Sequence, residues 1–293
     1  MNTPGNKFRD AIADNKPLMV VGAINAYCAK MAEKAGHKAL YLSGAGVANA
    51  SFGLPDLAIT TLNDVAEDSR RITQATNLPL LIDIDTGFGG AFSISRTIKE
   101  MIAADVAAVH IEDQVTQKRC GHRPNKSLVD KIEMNDRIKA AVDARTDESF
   151  FIMARTDSYA SEGMQGAIDR CNEYISAGAD GLFLEAVSSL EDYKQLKDAL
   201  QVPLLANITE FGKTPLFSAQ ELASVGVDIM LFPLSAFRAM NKAAESVYID
   251  IAENGSQVNS VEKMQTRDEL YEYLNYHSFE QKLDELFKRK ENK

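Results

Sequence analysis

In Leu78-Pro79-Leu80-Leu81-Ile82-Asp83-Ile84-Asp85-Thr86-Gly87-Phe88-Gly89-Gly90, a short apolar run ends in two carboxylates and breaks into a glycine-rich loop. A run this short and this apolar predicts a strand buried on both faces, as in a parallel sheet. Helical spacing follows to Ala104, with Ser93 as the expected N-cap. Val106-Ala107-Ala108-Val109-His110-Ile111-Glu112-Asp113 then repeats the pattern, apolar first and acidic at its end. Outward from this unit, strand-like runs stand at 18–24, 39–43, 150–157, 181–185, 202–209 and 227–233, giving eight in all. Helical spacing fills 26–35, 62–77, 133–145, 164–178 and 236–254, with Gly36 placed to end the first of these. Ser188 with Glu191 and Ser218 with Glu221 have capping-box spacing. Eight strand-helix repeats without a composition break predict an α/β fold, a (β/α)8 TIM-type barrel in one domain over 1–293. An open doubly wound sheet would use the same alternation, but no GxGxxG opens the first strand-to-helix turn. From about 260 to 293 a charged, helix-forming extension has no ninth strand to cover, and is expected to pack on the barrel or on a neighbouring subunit.

The chain has 293 residues, 45% of them hydrophobic, enough for one large core. Its formal net charge of -10 argues against nucleic acid and against an anionic membrane surface, while leaving room for a local cluster of arginines. Cys28, Cys120 and Cys171 are widely spaced, without a CxxC, which fits a reducing compartment. No apolar run approaches the ~18 residues of a membrane span, and the polar N-terminus lacks a signal-peptide core. The expectation is a cytoplasmic protein without a membrane partner.

Barrel enzymes carry their chemistry at the C-terminal ends of the strands. Residues two apart on a strand share a face, so Asp83 with Asp85, His110 with Glu112, and Asn207 with Thr209 should point the same way. Ser43, Arg155 and Glu185 hold equivalent positions on their own strands. Neighbouring carboxylates repel unless a cation joins them, and an oxygen-only set favours Mg2+, with Mn2+ as a substitute. Alternatively, Asp83 and Asp85 cap their strand and hydrogen-bond the glycine loop. Arg155 suits a carboxylate clamp because its fork takes two oxygens at once, or else it pairs with Glu185 or Asp157. After Ser43, Gly44-Ala45-Gly46 forms a turn whose backbone N–H groups can face an anion. In Lys118-Arg119-Cys120-Gly121-His122, a thiol between cations and an imidazole should have its pKa drawn down from about 8.5. Gly121 permits close approach of the backbone. Cys28 and Cys171, among Ala and Ile on helices, read as core.

Lys118 to His122, Ser43-Gly44 and Asp83-Ile84-Asp85 together resemble the isocitrate lyase / phosphoenolpyruvate mutase superfamily across essentially the whole chain. Cys120 to Lys126, Asn207-Ile208-Thr209-Glu210-Phe211-Gly212 and the stretch from Pro233 to Asn241 are similar to its branch that cleaves 2-methylisocitrate. The resemblance implies a Mg2+-dependent retro-aldol cleavage of a small tricarboxylate into pyruvate and succinate, as in the methylcitrate cycle of propionate catabolism. It implies Asp83 and Asp85 on the metal side, with Glu112 holding metal-bound water. Ser43, Gly44 and Ala45 would cradle the pyruvate end, while Cys120, Gly121, Arg155, Glu185, Asn207, Ile208 and Thr209 line the substrate site. Arg238 and Arg267 would contact substrate or close over it. Cys120 is the implied acid, with His122 and Arg155 beside it in the catalytic set. Tyr41, a metal-bound water or a carboxylate is the candidate base. The family forms homotetramers with C-terminal helices exchanged between subunits. Ala45 departs from the pattern, standing where glycine is common.

Overall fold

The computed structural model describes residues 2–119, 121 and 126–288, and contacts divide the chain into two units, Met1–Phe237 and Arg238–Lys293. In the first unit, α1 (Pro4–Asp14) precedes β1 (Leu18–Gly22), α2 (Ala26–Lys34) and β2 (Ala39–Leu42). A single turn, α3 (Gly44–Gly46), runs into a π-turn, Val47–Ser51, before α4 (Leu62–Thr73), β3 (Leu80–Asp83) and α5 (Ala91–Ala103). The alternation continues through β4 (Ala108–Glu112), α6 (Lys131–Asp143), β5 (Phe151–Thr156), α7 (Tyr159–Ser176), β6 (Gly181–Leu184) and α8 (Leu190–Ala199). It ends with β7 (Leu204–Asn207), α9 (Ala219–Ser224), β8 (Ile229–Phe232) and α10 (Ser235–Asn254), whose first turn carries the division between the units.

The eight strands form a closed barrel in sequence order, every pair parallel, with β1 meeting β8. Closure leaves no sheet edge to protect. Strand alternation separates two apolar layers. Val20, Tyr41, Leu81, Met153, Phe183, Leu205 and Leu231 face inward with Phe8 and Ile12 of α1, whose Phe8 ring meets Phe151 edge-on at 5.4 Å. Leu40, Ile82, Val109, Ile152, Leu182 and Ala206 face outward under the helices. Register then sets the barrel's upper rim: Asp83 lies opposite His110, and Glu112 opposite Arg155.

Local signals explain most element ends. Thr3 accepts from the Asn6 N–H and Pro4 starts α1. Gly36, at φ +94, closes α2, and Ser218 with Glu221 forms the expected box on α9. Two expected caps shift. Gly90 caps α5, placing Ser93 inside its first turn, and Ser189 caps α8 by accepting from Asp192 N–H, one residue after the Ser188/Glu191 reading. Strands are shorter than the apolar runs because several run ends serve as loop residues beyond the last ladder bond.

In the second unit, α10 leads through a 3-10 turn, Val258–Lys263, to α11 (Arg267–Leu274) and α12 (Tyr276–Phe287). Asp250 on α10 accepts from Ser260 Oγ at 2.8 Å, and Thr266 with Glu269 boxes the start of α11. Asn275 at φ +53 separates α11 from α12, and Tyr271 stacks on Tyr276 at 4.2 Å across the break.

Candidate active site

At the C-terminal rim of the first unit, side chains from six neighbouring strands converge. Tyr41 donates or accepts across 2.9 Å with His110 Nε2, and His110 Nδ1 stands 3.7 Å from Asp83 Oδ1. Burial brings the imidazole down to about 4 despite the Asp83 charge, so at neutral pH it is uncharged. Burial first, then the Asp83 charge, raise the Tyr41 phenol well above its usual value, which keeps it protonated.

Asp83 and Asp85 meet as expected. Asp85 adopts φ +49 just past β3, and its N–H donates to Asp83 Oδ1 at 2.9 Å. Their oxygens flank Gly44: a Cβ there would lie 3.1 Å from Asp83 Oδ2 and 3.2 Å from Asp85 Oδ1. Burial alone would raise the Asp83 carboxyl, but His110, Lys118 and Arg155 outweigh it and bring it down to about 2. Asp85 moves oppositely, pushed up to about 7 by burial and then by the Asp83 charge, against Lys118. The Lys118 ammonium, 3% exposed, sits 2.7 Å from Asp85 Oδ1 and 2.5 Å from Asp56 Oδ1. Burial would lower its pKa, yet Asp85, Asp83, Glu112 and Asp56 together raise it. Lys118 thus sets a buried positive charge between Asp85 and Asp56.

Arg155 is the second cation of the rim. Its Nη1 lies 3.3 Å from Glu112 Oε2, its Nη2 3.3 Å from Glu185 Oε2, and its Nε donates to Asp157 Oδ2 at 3.1 Å. The guanidinium also lies over the Phe183 ring at 5.0 Å. Both partners considered from the sequence, Glu185 and Asp157, are present together with Glu112. Asn207 Nδ2 reaches Glu185 at 3.3 Å, while its buried Oδ1 has no hydrogen-bond partner among the described residues. Among the described residues neither Glu112 oxygen has a hydrogen bond, and burial raises that carboxyl well above the usual range.

These donors fit a divalent cation of the Mg2+ type. No three histidine, cysteine or carboxylate side chains among the described residues form a ready cage. Mg2+ needs none, since it keeps several waters and usually takes one or two carboxylates together with substrate oxygens. Asp83 and Asp85 are two carboxylates of that kind side by side at the rim, and among the described residues neither Glu112 oxygen has a hydrogen bond, with Arg155 the charged group beside them.

Ser43 and Gly44 are buried at the end of β2 and the start of α3, beside the carboxylates, and Ala45 is half-buried in the same turn. Thr209, 6% exposed, continues the inward face of Asn207. Ile208 does not join them: its side chain is packed in the outer layer and its N–H donates to Leu231 O at 2.8 Å, as strand alternation requires. Arg238 and Arg267 belong to the second unit, exposed on α10 and at the start of α11. Cys120 and His122 lie outside the described residues. A Cβ on Gly121 would be 2.5 Å from Arg155 Nη2, so the loop backbone rests directly on the clamp. Cys28 and Cys171 are buried, and burial raises both thiols, consistent with core roles.

Asp56 escaped the sequence reading because it lies in an irregular loop, where strand periodicity says nothing. Gln114 and Lys126 also went unassigned. Asp113, the second of the two acids that end the run, faces away from the rim, accepting from Thr156 Oγ1 at 2.6 Å and Tyr174 Oη at 2.9 Å.

The phosphoenolpyruvate phosphomutase family model matches residues 8–252. A 2-methylisocitrate lyase of Vibrio cholerae is 61% identical over 291 residues, covering 97% of this chain and 94% of the relative. Among solved structures, 2,3-dimethylmalate lyase superposes with a TM-score of 0.89 at 34% identity, covering 98% of this chain and 96% of the other. Phosphonopyruvate hydrolase, crystallised with oxalate and Mg2+, gives a TM-score of 0.85 at 25% identity, with coverage of 98% and 100%.

Proposed function

The chain belongs to the phosphoenolpyruvate phosphomutase family, and from that premise we propose that it is a carbon–carbon lyase that cleaves 2-methylisocitrate into pyruvate and succinate. The observation that carries this reading is near full-length identity of 61% to a 2-methylisocitrate lyase. Phosphonopyruvate hydrolase, with its oxalate and Mg2+, supports a metal-dependent site for a small oxoacid. In this reading Asp83 and Asp85 would hold Mg2+, with Glu112 holding metal-bound water, and the ion would supply Lewis-acid polarisation of the nascent carbonyl. Mn2+ is the expected substitute.

The remaining work falls to side chains. Removing the substrate's hydroxyl proton lets the carbon–carbon bond break, leaving pyruvate and the doubly charged enediolate of succinate. Arg155, Asn207 and Thr209 present fixed charge and dipoles to that anion, where a preformed donor is worth more than in water. Cys120 then delivers a proton to carbon, so the hydroxyl proton lost is balanced by the carbon proton gained. Tyr41, held protonated beside a neutral His110, must give its proton to a base before it can accept one. A water or carboxylate is therefore the better first acceptor. The reading places the enzyme in the cytoplasm, in the methylcitrate cycle.

A coupled pyruvate assay with Mg2+ tests it. An apolar contact with one methyl group distinguishes substrates by only ~1–3 kcal/mol, so 2-methylisocitrate should exceed isocitrate by tens to a few hundred-fold in kcat/KM. A better rate with isocitrate, oxaloacetate or 2,3-dimethylmalate would reassign the substrate within the family.

The same reading includes a homotetramer with exchanged C-terminal helices. It is supported by an apolar stripe on α12, where Phe279, Leu283, Leu286 and Phe287 are between 56% and 73% exposed. Those positions fall on one helical face. Light scattering should give four times the chain mass of 32.2 kDa, and Phe279→Glu with Leu283→Glu should lower it. A monomeric wild-type chain would remove the exchange.

A further inference from the structure

The residues on either side of Cys120 are held by buried side chains to which the lyase chemistry assigns no role. Gln114, 1% exposed just past β4, grips Arg119 at two points. Its Oε1 accepts from the Arg119 N–H at 3.0 Å and its Nε2 donates to the Arg119 carbonyl at 2.9 Å. One amide that satisfies both backbone groups of a residue fixes that peptide as a neighbouring strand would. Gln114 is itself anchored. It bridges to Leu128, Val115 N–H donates to Ser127 O at 3.0 Å, and Arg137 Nη1 donates to the Gln114 carbonyl at 2.8 Å.

On the other side, Lys126 Nζ donates to the Gly121 carbonyl at 2.5 Å and to Asp157 Oδ1. The Lys126 side chain is 9% exposed and that of Asp157 is fully buried. Asp157 is also the carboxylate that takes Arg155 Nε, and its own N–H donates to Asp113 at 3.1 Å. An ammonium this buried is tolerated only because two acceptors meet it. The carbonyl of Gly121 and the fork of Arg155 are thus referred to one carboxylate.

We propose that Gln114 and the Lys126–Asp157 pair are positioning residues, which fix the loop on both sides of Cys120 and tie it to the Arg155 clamp. The inference deepens the lyase reading and rests on Cys120 belonging to that site. A displacement of about 1 Å in a catalytic group can cost ~100-fold in rate.

Gln114→Leu and Lys126→Met are compared with wild type in the full chain with Mg2+. Each should lower kcat by roughly 10- to 100-fold with KM changed less than about threefold, because the lost contacts position the loop rather than bind substrate. Mass-spectrometric mapping should show Cys120 alkylated by iodoacetamide about fivefold faster or more, without a matching fall in thermal midpoint. Lys126→Arg, which keeps a charged donor, should recover most of kcat, and Gln114→Glu, which keeps only the acceptor, should fall between wild type and Gln114→Leu. Unchanged kcat with unchanged alkylation overturns the proposal. So does a loss of rate that follows thermal stability and that Lys126→Arg does not repair. If wild type leaves 2-methylisocitrate intact, the lyase reading fails. The alkylation rates need no substrate and still decide whether these side chains hold the loop.

Discussion

Arg155→Leu should lower kcat/KM by about 10³-fold or more and also cost several degrees of thermal stability, whereas Arg155→Lys should keep the fold and lose about 10²-fold. Three carboxylates, Glu112, Asp157 and Glu185, approach this one guanidinium at 3.1 to 3.3 Å. Removing the shared partner of buried ion pairs typically costs ~3–5 kcal/mol, because the charges left behind are neither solvated nor matched. Those carboxyls would respond by taking up protons. A lysine restores one charge but cannot hold three partners in a plane, and it forfeits the stacked contact with Phe183. The measurement is kcat/KM for both variants beside their thermal midpoints. A leucine variant as stable as wild type would mean that the three carboxylates do not depend on Arg155, and near-normal turnover by the lysine variant would remove the fork from the mechanism.

The rim around Arg155 was legible for a simple reason. Strand periodicity of two assigns each residue to the inside or the outside, and a barrel gathers the inside ends, so Asp83, His110, Glu112, Arg155, Glu185 and Asn207 were identifiable before any coordinate. The same rule shows why Ile208 could not present its side chain there: one step from Asn207 reverses the direction. Loops carry no such period. Asp56 meets Lys118 across 62 positions of sequence, and Lys126 meets Asp157 across 31, through segments whose course nothing local dictates. Lys118 shows the consequence most plainly. Read locally it is a cation for the neighbouring thiol, but in the fold its ammonium is taken by Asp56 and Asp85. The helix ends follow the same division. Ser218 with Glu221 caps α9 as read, whereas α8 begins one residue later because Ser188 and Ser189 offer equivalent hydroxyls and only the chain's approach selects between them.

Asp85→Asn should reduce kcat by about 10³-fold or more in saturating Mg2+ while leaving the barrel folded, since a direct carboxylate for the ion is lost and nothing else at the rim replaces it. Its effect on stability should run the other way. Asp85 is pushed up from 3.8 to about 7 by burial and by the Asp83 charge, so the folded chain binds this proton more tightly than the unfolded chain does. Stability from that proton is present at pH 3 and is lost as the pH rises through about 7, which makes the ionised carboxylate a burden at pH 8. Asparagine never ionises. In metal-free buffer the variant should therefore lose less stability than wild type between pH 4 and pH 8, with Lys118 still paired to Asp56 at 2.5 Å. Added Mg2+ should raise the thermal midpoint of wild type at pH 8, because binding to the folded state alone stabilises it, and should leave the variant almost unmoved. EDTA should abolish wild-type turnover, and Mg2+ should restore it. Thermal scans across pH, with and without the ion, measure all of this apart from catalysis. Equal Mg2+ stabilisation of the two proteins, or full turnover in verified metal-free wild type, would take Asp85 out of the metal site.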